Sequence, residues 1–232
     1  MPKLHIVPTP IGNLDDITLR AIKVLQEVDI IYAEDTRTSQ VLLKHLNIHK
    51  ILRSFHLHNE HQLAKSIALE AQSGKRLALI SDAGTPGISD PGYLLVRACI
   101  AEGVEVECLP GPTAFVPAIV VSGLPCESFV FFGFLPHKKG RATKIAALHD
   151  EKKTMVFYES PHRLSKFLLE LSTSLGAERN AFVGRELTKK FEEQKRGSLS
   201  ELHKYFSKSK VKGEIVVVVE GKIKNKKIGQ ET

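Results

Sequence analysis

At 232 residues and 42% hydrophobic content, the chain can bury a sizeable core, as one large domain or two small ones; two are expected. The cysteines Cys99, Cys108 and Cys126 are odd in number and lack CxxC spacing, which argues against a disulfide scaffold and for reduced thiols in a cytoplasmic protein. No apolar run approaches the roughly 20 residues that span a bilayer, and MPKLHIVPTP is too short and proline-rich for a signal peptide, so no membrane is expected among the partners. The net charge of +7 is unevenly placed: 11 Lys+Arg stand against 14 Asp+Glu up to Ser128, and 22 against 12 from Phe129 onward. A half at −3 followed by a half at +10 suggests that the C-terminal half meets a polyanion, since phosphates are held by Lys and Arg.

In chain order, LHIV (4–7) and DIIYA (29–33) read as strands, joined by a helix in which Leu14, Ile17, Thr18, Ala21, Ile22, Leu25 and Val28 recur at steps of three and four. Asp15 and Asp16 sit near its positive end. A second helical pattern covers Glu60 to Gln72, RLALIS (76–81) is a third strand, and Pro91 suits the first turn of a helix running to about Glu102. VEVECL (104–109) follows as a strand, and a helix is expected from Thr113. Such alternation implies a mostly parallel α/β sheet over residues 1–112. Residues 113–128, ending in the turn-rich SGLPCES, read as a connecting helix and linker. A second, basic α/β domain is expected over 129–221, with strands FVFFG (129–133), TMVFYE (154–159), AFVG (181–184) and GEIVVVVEG (213–221). Its clearest helix carries Leu164, Phe167, Leu168, Leu171 and Leu175 on one face, and residues 222–232 read as a loose lysine-rich tail.

In parallel α/β sheets ligands bind beyond the carboxyl ends of the strands. The unusual segments fall there: VPTPIGNL (7–14), AEDTRTS (33–39), SDAGTPGISDPG (81–92) and LPGPTA (109–114). Their glycines and prolines permit tight turns that bring bare backbone N–H and C=O groups against a ligand. Neither GxGxxG after a strand nor GxxxxGK[ST] is present, so NAD and ATP have no support, and no GxSxG elbow marks a serine hydrolase. His56, His58 and His61 lack the cysteine or HExxH context of a metal site; they read as a strand-end loop or polar helix start, and no metal is expected.

The set VPTPIGNLDDITLRA, AEDTRTS, LISDAGTPGISDPGY, LPGPTAFVPAIVVSGLP, FFGFLP and FYESPHRL, in that order, resembles the tetrapyrrole-methylase superfamily. More narrowly it is similar to the bacterial family of small-subunit ribosomal RNA ribose 2′-O-methyltransferases I, from about Lys3 to Gly221. Longer members continue beyond the last strand. The resemblance implies two α/β domains with S-adenosylmethionine in the cleft between them, a homodimer, and methylation of a cytidine ribose of 16S ribosomal RNA in the decoding centre of the small subunit. It implies that Pro8, Ile11, Gly12, Ser81, Asp82, Ala83, Ile88, Thr113 and Ala114 approach the cofactor, joined by Tyr158, Leu187 and Thr188 of the second domain.

On the same basis Glu34, Asp35 and Glu159 are the candidates for accepting the hydroxyl proton, with His162 behind them. Arg37, Arg163 and Arg185, together with Lys138, Lys139 and Arg141 of KKGRATK, the segment 204–212 and the tail, are the candidates for phosphate or ribose. Competing readings stand beside these. Glu34 and Asp35 would equally serve a helix cap paired with Arg37, and Glu159 could simply hold a loop. The same fold could also methylate a tetrapyrrole-like small molecule, or bind RNA without catalysis as an assembly factor.

Overall fold

The computed structural model describes residues 3–208 and 210–222, and the chain divides after Thr113 into two units. Among the described residues the first unit contains the strands β1 (Lys3–Ile6), β2 (Ile30–Ala33), β3 (Ile51–Ser54), β4 (Arg76–Ile80) and β5 (Glu105–Cys108). Their order is β3-β2-β4-β1-β5, with every neighbouring pair parallel. Parallel neighbours require crossovers, supplied by α1 (Leu19–Glu27), α2 (Thr36–His45), α3 (Glu60–Gln72) and α4 (Tyr93–Ala101).

Successive side chains of a strand face opposite sides. Ile30, Tyr32, Leu77 and Leu79 pack with Ile67 of α3 and Leu95 and Cys99 of α4. Ile31, Ala33, Ala78 and Ile80 pack instead with Ala21 and Leu25 of α1 and Leu43 of α2. With both faces covered, these strands are apolar throughout rather than alternating. Neighbouring β1 and β4 lead to helices on opposite faces, so their carboxyl ends flank the switch point where α/β sheets bind ligands.

Several boundaries differ from the sequence pattern. The helix expected from Leu14 starts at Leu19, because the Thr18 side chain accepts the Ala21 N–H as its cap; Leu14–Asp16 form a separate 3₁₀ turn. Pro91 precedes the α4 cap, Gly92, rather than opening the helix. The apparent loop AEDTRTS already contains the start of α2, capped by Asp35, and β3 is an edge strand too polar to stand out.

The second unit, from Ala114, contains among its described residues β6 (Phe129–Phe134), β7 (Thr154–Glu159), β8 (Asn180–Arg185), β9 (Glu193–Ser198) and β10 (Ile215–Val219). The order is β6-β7-β10-β8-β9; β6 and β7 are parallel and the other pairs antiparallel. The helices are α5 (Phe115–Ser122), α6 (Arg141–Ala147), α7 (Leu164–Leu175) and α8 (Leu199–Phe206). Met155, Phe157, Val217 and Val219 face α7 and α8. Val156, Phe182, Val216 and Val218 face Ala118 and Ile119 of α5. The helix read as a connector therefore covers one face of this sheet. The strand β9, EQKRGS, lies at the sheet edge without apolar alternation, and its ladder with β8 alone defines it. Beyond it, Ser198 and Glu201 form a reciprocal capping box that starts α8.

Candidate functional site

In the first unit the loops that follow β1, β4 and β5 are tied together by main-chain and short polar contacts. Thr9 and Gly84 exchange backbone hydrogen bonds of 2.9 and 3.0 Å. Thr9 Oγ1 donates to the Ser81 carbonyl at 3.0 Å, Ser81 Oγ to the Gly84 carbonyl at 3.2 Å, and Thr85 Oγ1 to the Pro112 carbonyl at 2.9 Å. The loop after β2 joins through the Asp35 N–H, which donates to Asp82 Oδ1 at 3.1 Å. Glycine is needed for this proximity: a Cβ on Gly111 would stand 2.6 Å from Pro8 Cβ, and Gly84 holds φ = 90° against Ile11. Pro8, Ile11 and Ser81 are thus buried beneath the cluster, Ala83, Ile88, Thr113 and Ala114 are partly buried, and Gly12 and Asp82 are exposed. Thr113 Oγ1 is buried without a hydrogen-bond partner. An unmatched buried hydroxyl is costly unless a ligand completes it, so this cradle fits a bound group with polar atoms.

The carboxylates of these loops divide by environment. Burial first, then the charges of Asp90, Asp82 and Asp35, push Glu34 up to about 7. Asp90 is pushed up to about 6, again by burial first, although the Ser81 hydroxyl opposes the shift. Asp82 is raised for the same leading reason. Asp35 goes the other way, down to about 2, because the Arg37 side chain binds it at 2.6 Å and the Arg37 N–H at 2.8 Å. Arg37 is otherwise exposed. Asp90 was not singled out by the sequence pattern, although it stands in the same glycine-rich stretch; its proximity to Glu34 is a tertiary fact. His56 Nδ1 accepts the His58 N–H at 3.2 Å within the turn before α3.

In the second unit Glu159, at the end of β7, is only 3% exposed. Its oxygens accept from Arg141 Nη2 at 3.1 Å, Arg163 Nε at 2.8 Å and the Ser160 N–H at 2.7 Å. Arg141 is buried rather than on the basic surface: it also donates to Glu170 at 2.8 Å and lies over the Phe167 ring, 5.2 Å from its centroid. Its charge is matched inside the unit, which removes it from the free cations of KKGRATK, while Lys138, Lys139 and Lys144 are exposed. Arg163 reaches from Glu159 to exposed His137; exposed His162 lies beside Ser160, its N–H 3.4 Å from Ser160 Oγ. Arg185 is paired with Glu193 at 2.8 Å and donates to the Lys212 carbonyl.

Tyr158 is partly buried, edge-on to Phe131 with centroids 5.0 Å apart. Leu187 is buried on the α5 face. Thr188 has φ = 66° and a buried Oγ1 without a partner. The lysine tail from residue 223 lies outside the described residues, as does Ser209 within the 204–212 segment.

The doubly wound first sheet, its stitched strand-end loops and the mixed second sheet define the class of tetrapyrrole (corrin/porphyrin) methylases, whose family model matches residues 3–203. Solved structures share this fold: the methyltransferase CobJ superposes with a TM-score of 0.70 at 19% identity, covering 95% of each chain. Uroporphyrin-III C-methyltransferase from Thermus thermophilus, in complex with S-adenosylhomocysteine, gives 0.64 at 18% over 94% of this chain and 97% of its own. Sequence similarity narrows the class. A protein of Thermotoga maritima named ribosomal RNA small subunit methyltransferase I is 49% identical over 96% of this chain and all of its own length. Its namesake from Escherichia coli O157:H7 is 47% identical over 94% of this chain and 78% of its own. The chain belongs to the ribosomal RNA small subunit methyltransferase I family.

Proposed function

We propose that the chain is an S-adenosylmethionine-dependent methyltransferase of small-subunit ribosomal RNA, acting on the ribose 2′-oxygen of a cytidine in the decoding centre. The observation that carries the reading is the near full-length identity of 49% to a relative of that name. The tetrapyrrole enzymes, at 18–19% identity, share the fold alone, so a small-molecule substrate has less support. S-adenosylmethionine would supply a methyl group activated by its sulfonium, with a neutral thioether as the leaving group.

The chain's own contribution is chiefly to hold and orient the reactants, an effect that can supply roughly 7–11 kcal/mol, against some 3–5 kcal/mol for a general base. Thr113 Oγ1 and the main chain around Gly84 are assigned to the cofactor; the unmatched hydroxyl supports this. The other cofactor residues named from the resemblance, Leu187 and Thr188 included, belong to the same proposal. Glu34 is assigned as proton acceptor, because a carboxylate raised to about 7 sits near the working pH. Asp35 keeps α2 capped and Arg37 paired. Glu159 is a positioning residue: engaged by two arginines, it fixes Arg163 rather than taking a proton. Lys138 and Lys139 are assigned to phosphates.

Small subunits from cells lacking the gene, incubated with the protein and methyl-labelled cofactor, should acquire label at one cytidine ribose, located by mass spectrometry of the RNA. Label on a base, on a tetrapyrrole alone, or nowhere would sink the assignment. Homodimer formation and cytoplasmic residence belong to the same reading; sedimentation and cell fractionation test them.

A further inference from the structure

Between β8 and β9 the chain runs ELTKKFE, Glu186 to Glu192. Two non-glycine residues here occupy the left-handed region, Glu186 at φ = 51° and Thr188 at 66°. For a β-branched residue such backbone is an outlier that persists only where surrounding contacts impose it, and strain of this kind gathers at functional sites.

Those contacts are present. The Glu186 N–H donates to the Glu214 carbonyl at 2.9 Å, and Glu186 Oε1 accepts from the Glu214 N–H at 2.8 Å and from Lys189 Nζ at 3.0 Å. Lys189 Nζ also pairs with Glu214 Oε2 at 3.2 Å. The Thr188 N–H donates to Glu192 Oε2 at 2.7 Å, and the Glu192 N–H to the Lys189 carbonyl at 3.1 Å. A loop tied this often holds its tip still.

What the tip presents is Phe191, 66% exposed, with the ammonium of exposed Lys190 5.8 Å from its ring centroid. Among the described residues no carboxylate pairs with Lys190. Tyr205 makes the contrast: its ring lies under Lys195 at 4.6 Å and its hydroxyl donates to Glu193 at 2.7 Å. A lone exposed phenylalanine on a slack loop needs no explanation. A ring held in water by a strained, multiply anchored loop, beside an unpaired cation and within the electropositive half of the chain, does.

We propose that Phe191 is a stacking platform for an unpaired base of the RNA substrate, with Lys190 meeting the flanking phosphate. Sequence-tolerant stacking on aromatic rings beside cations is how single-stranded RNA is gripped, whereas a duplex hides its base faces. The inference rests on the ribosomal RNA reading and adds to it a substrate contact at the tip of the loop whose base, Leu187 and Thr188, is assigned to the cofactor.

The chain contains no tryptophan, so Phe191→Trp creates a single fluorescent reporter at the proposed face. Titration with a single-stranded RNA oligonucleotide should quench it saturably, and heparin, a polyanion without bases, should leave its emission unchanged. Phe191→Leu keeps the bulk without the π face; it should weaken oligonucleotide binding at least about fivefold and leave S-adenosylmethionine affinity unchanged, while Phe191→Tyr should bind as the parent does. Absence of quenching by RNA, equal quenching by heparin, or parental binding by Phe191→Leu overturns the proposal, even where the parent protein methylates subunits. A concentration-dependent emission shift before RNA is added would assign the ring to a second copy of the chain and overturn it too. Failure of the parent to methylate subunits, with RNA quenching intact, would instead count against the enzymatic reading and leave the stacking face standing.

Discussion

Glu34 stands in surroundings that disfavour its charge. Its ordinary value of 4.5 is raised to about 7 by burial and by three neighbouring carboxylates. The folded state therefore favours the neutral acid, and the sign follows: the full stability is present below about 4.5 and declines as pH rises through about 7, where the folded carboxyl must ionise against its surroundings. Glu34→Gln should unfold like the parent at pH about 4.5 and be more stable at pH about 8, on the order of 1–2 kcal/mol once solvent screening of a partly exposed group is allowed for. Thermal unfolding at both pH values checks this. If Glu34 also takes the hydroxyl proton, kcat of the parent should rise with pH to a plateau with its midpoint near 7, and Glu34→Gln should lower kcat about a hundredfold or more. A midpoint near 2 would point to Asp35 instead, whose value is held there by Arg37. The residue types of AEDTRTS left cap and base open as alternatives and did not say which carboxylate caps α2, a place that Asp35 takes. Glu34 is raised first by burial and then by Asp90, and both depend on segments more than fifty positions apart being folded together.

Elements matter here for how closely they let one another approach. The loops after β1 and β5 meet at Pro8 and Gly111, where there is no room for a methyl group. Gly111→Ala should part them, costing roughly 1–3 kcal/mol of stability and about tenfold in S-adenosylmethionine affinity by calorimetry. The alternative, in which these loops are mere turns, predicts the stability loss with no change in affinity for the fraction that folds. In the second unit α6, α7 and β7 share one buried ionic cluster, Arg141 with Glu159 and Glu170. Arg141→Ala leaves Glu159 buried with one of its two arginines gone, and should cost about 3–5 kcal/mol in urea denaturation. KKGRATK reads in sequence as a solvated basic run, and three of its four cations are exposed. The fourth turns inward because its carboxylate partners lie 18 and 29 positions further along. Polar edge strands such as β3 and β9 escape a pattern search for a related reason: an edge strand has a free side and needs no apolar alternation to be held by its neighbour.

Across the whole molecule the charge asymmetry is the property that the placement of charges along the chain exposes, −3 in one half and +10 in the other. Contact with about four phosphates would lower affinity for the small subunit about a hundredfold between about 50 and about 200 mM salt. Affinity for S-adenosylmethionine should change little over that range. A filter-binding series beside calorimetry reads both, and a flat subunit profile would mean that the basic half is inert surface. Chain order and residue type were enough for two α/β units, for glycine- and proline-rich loops at the strand ends, and for family membership, because hydrophobic period, turn chemistry and motif order are written in consecutive residues. The match of each charge to its partner came with folding: Arg141 buried and neutralised, Glu34 raised, Asp35 lowered, and Thr113 and Thr188 left with unmatched hydroxyls. Those are properties of neighbours drawn from distant segments, and local pattern carries no record of which groups burial will bring within a few ångströms of one another.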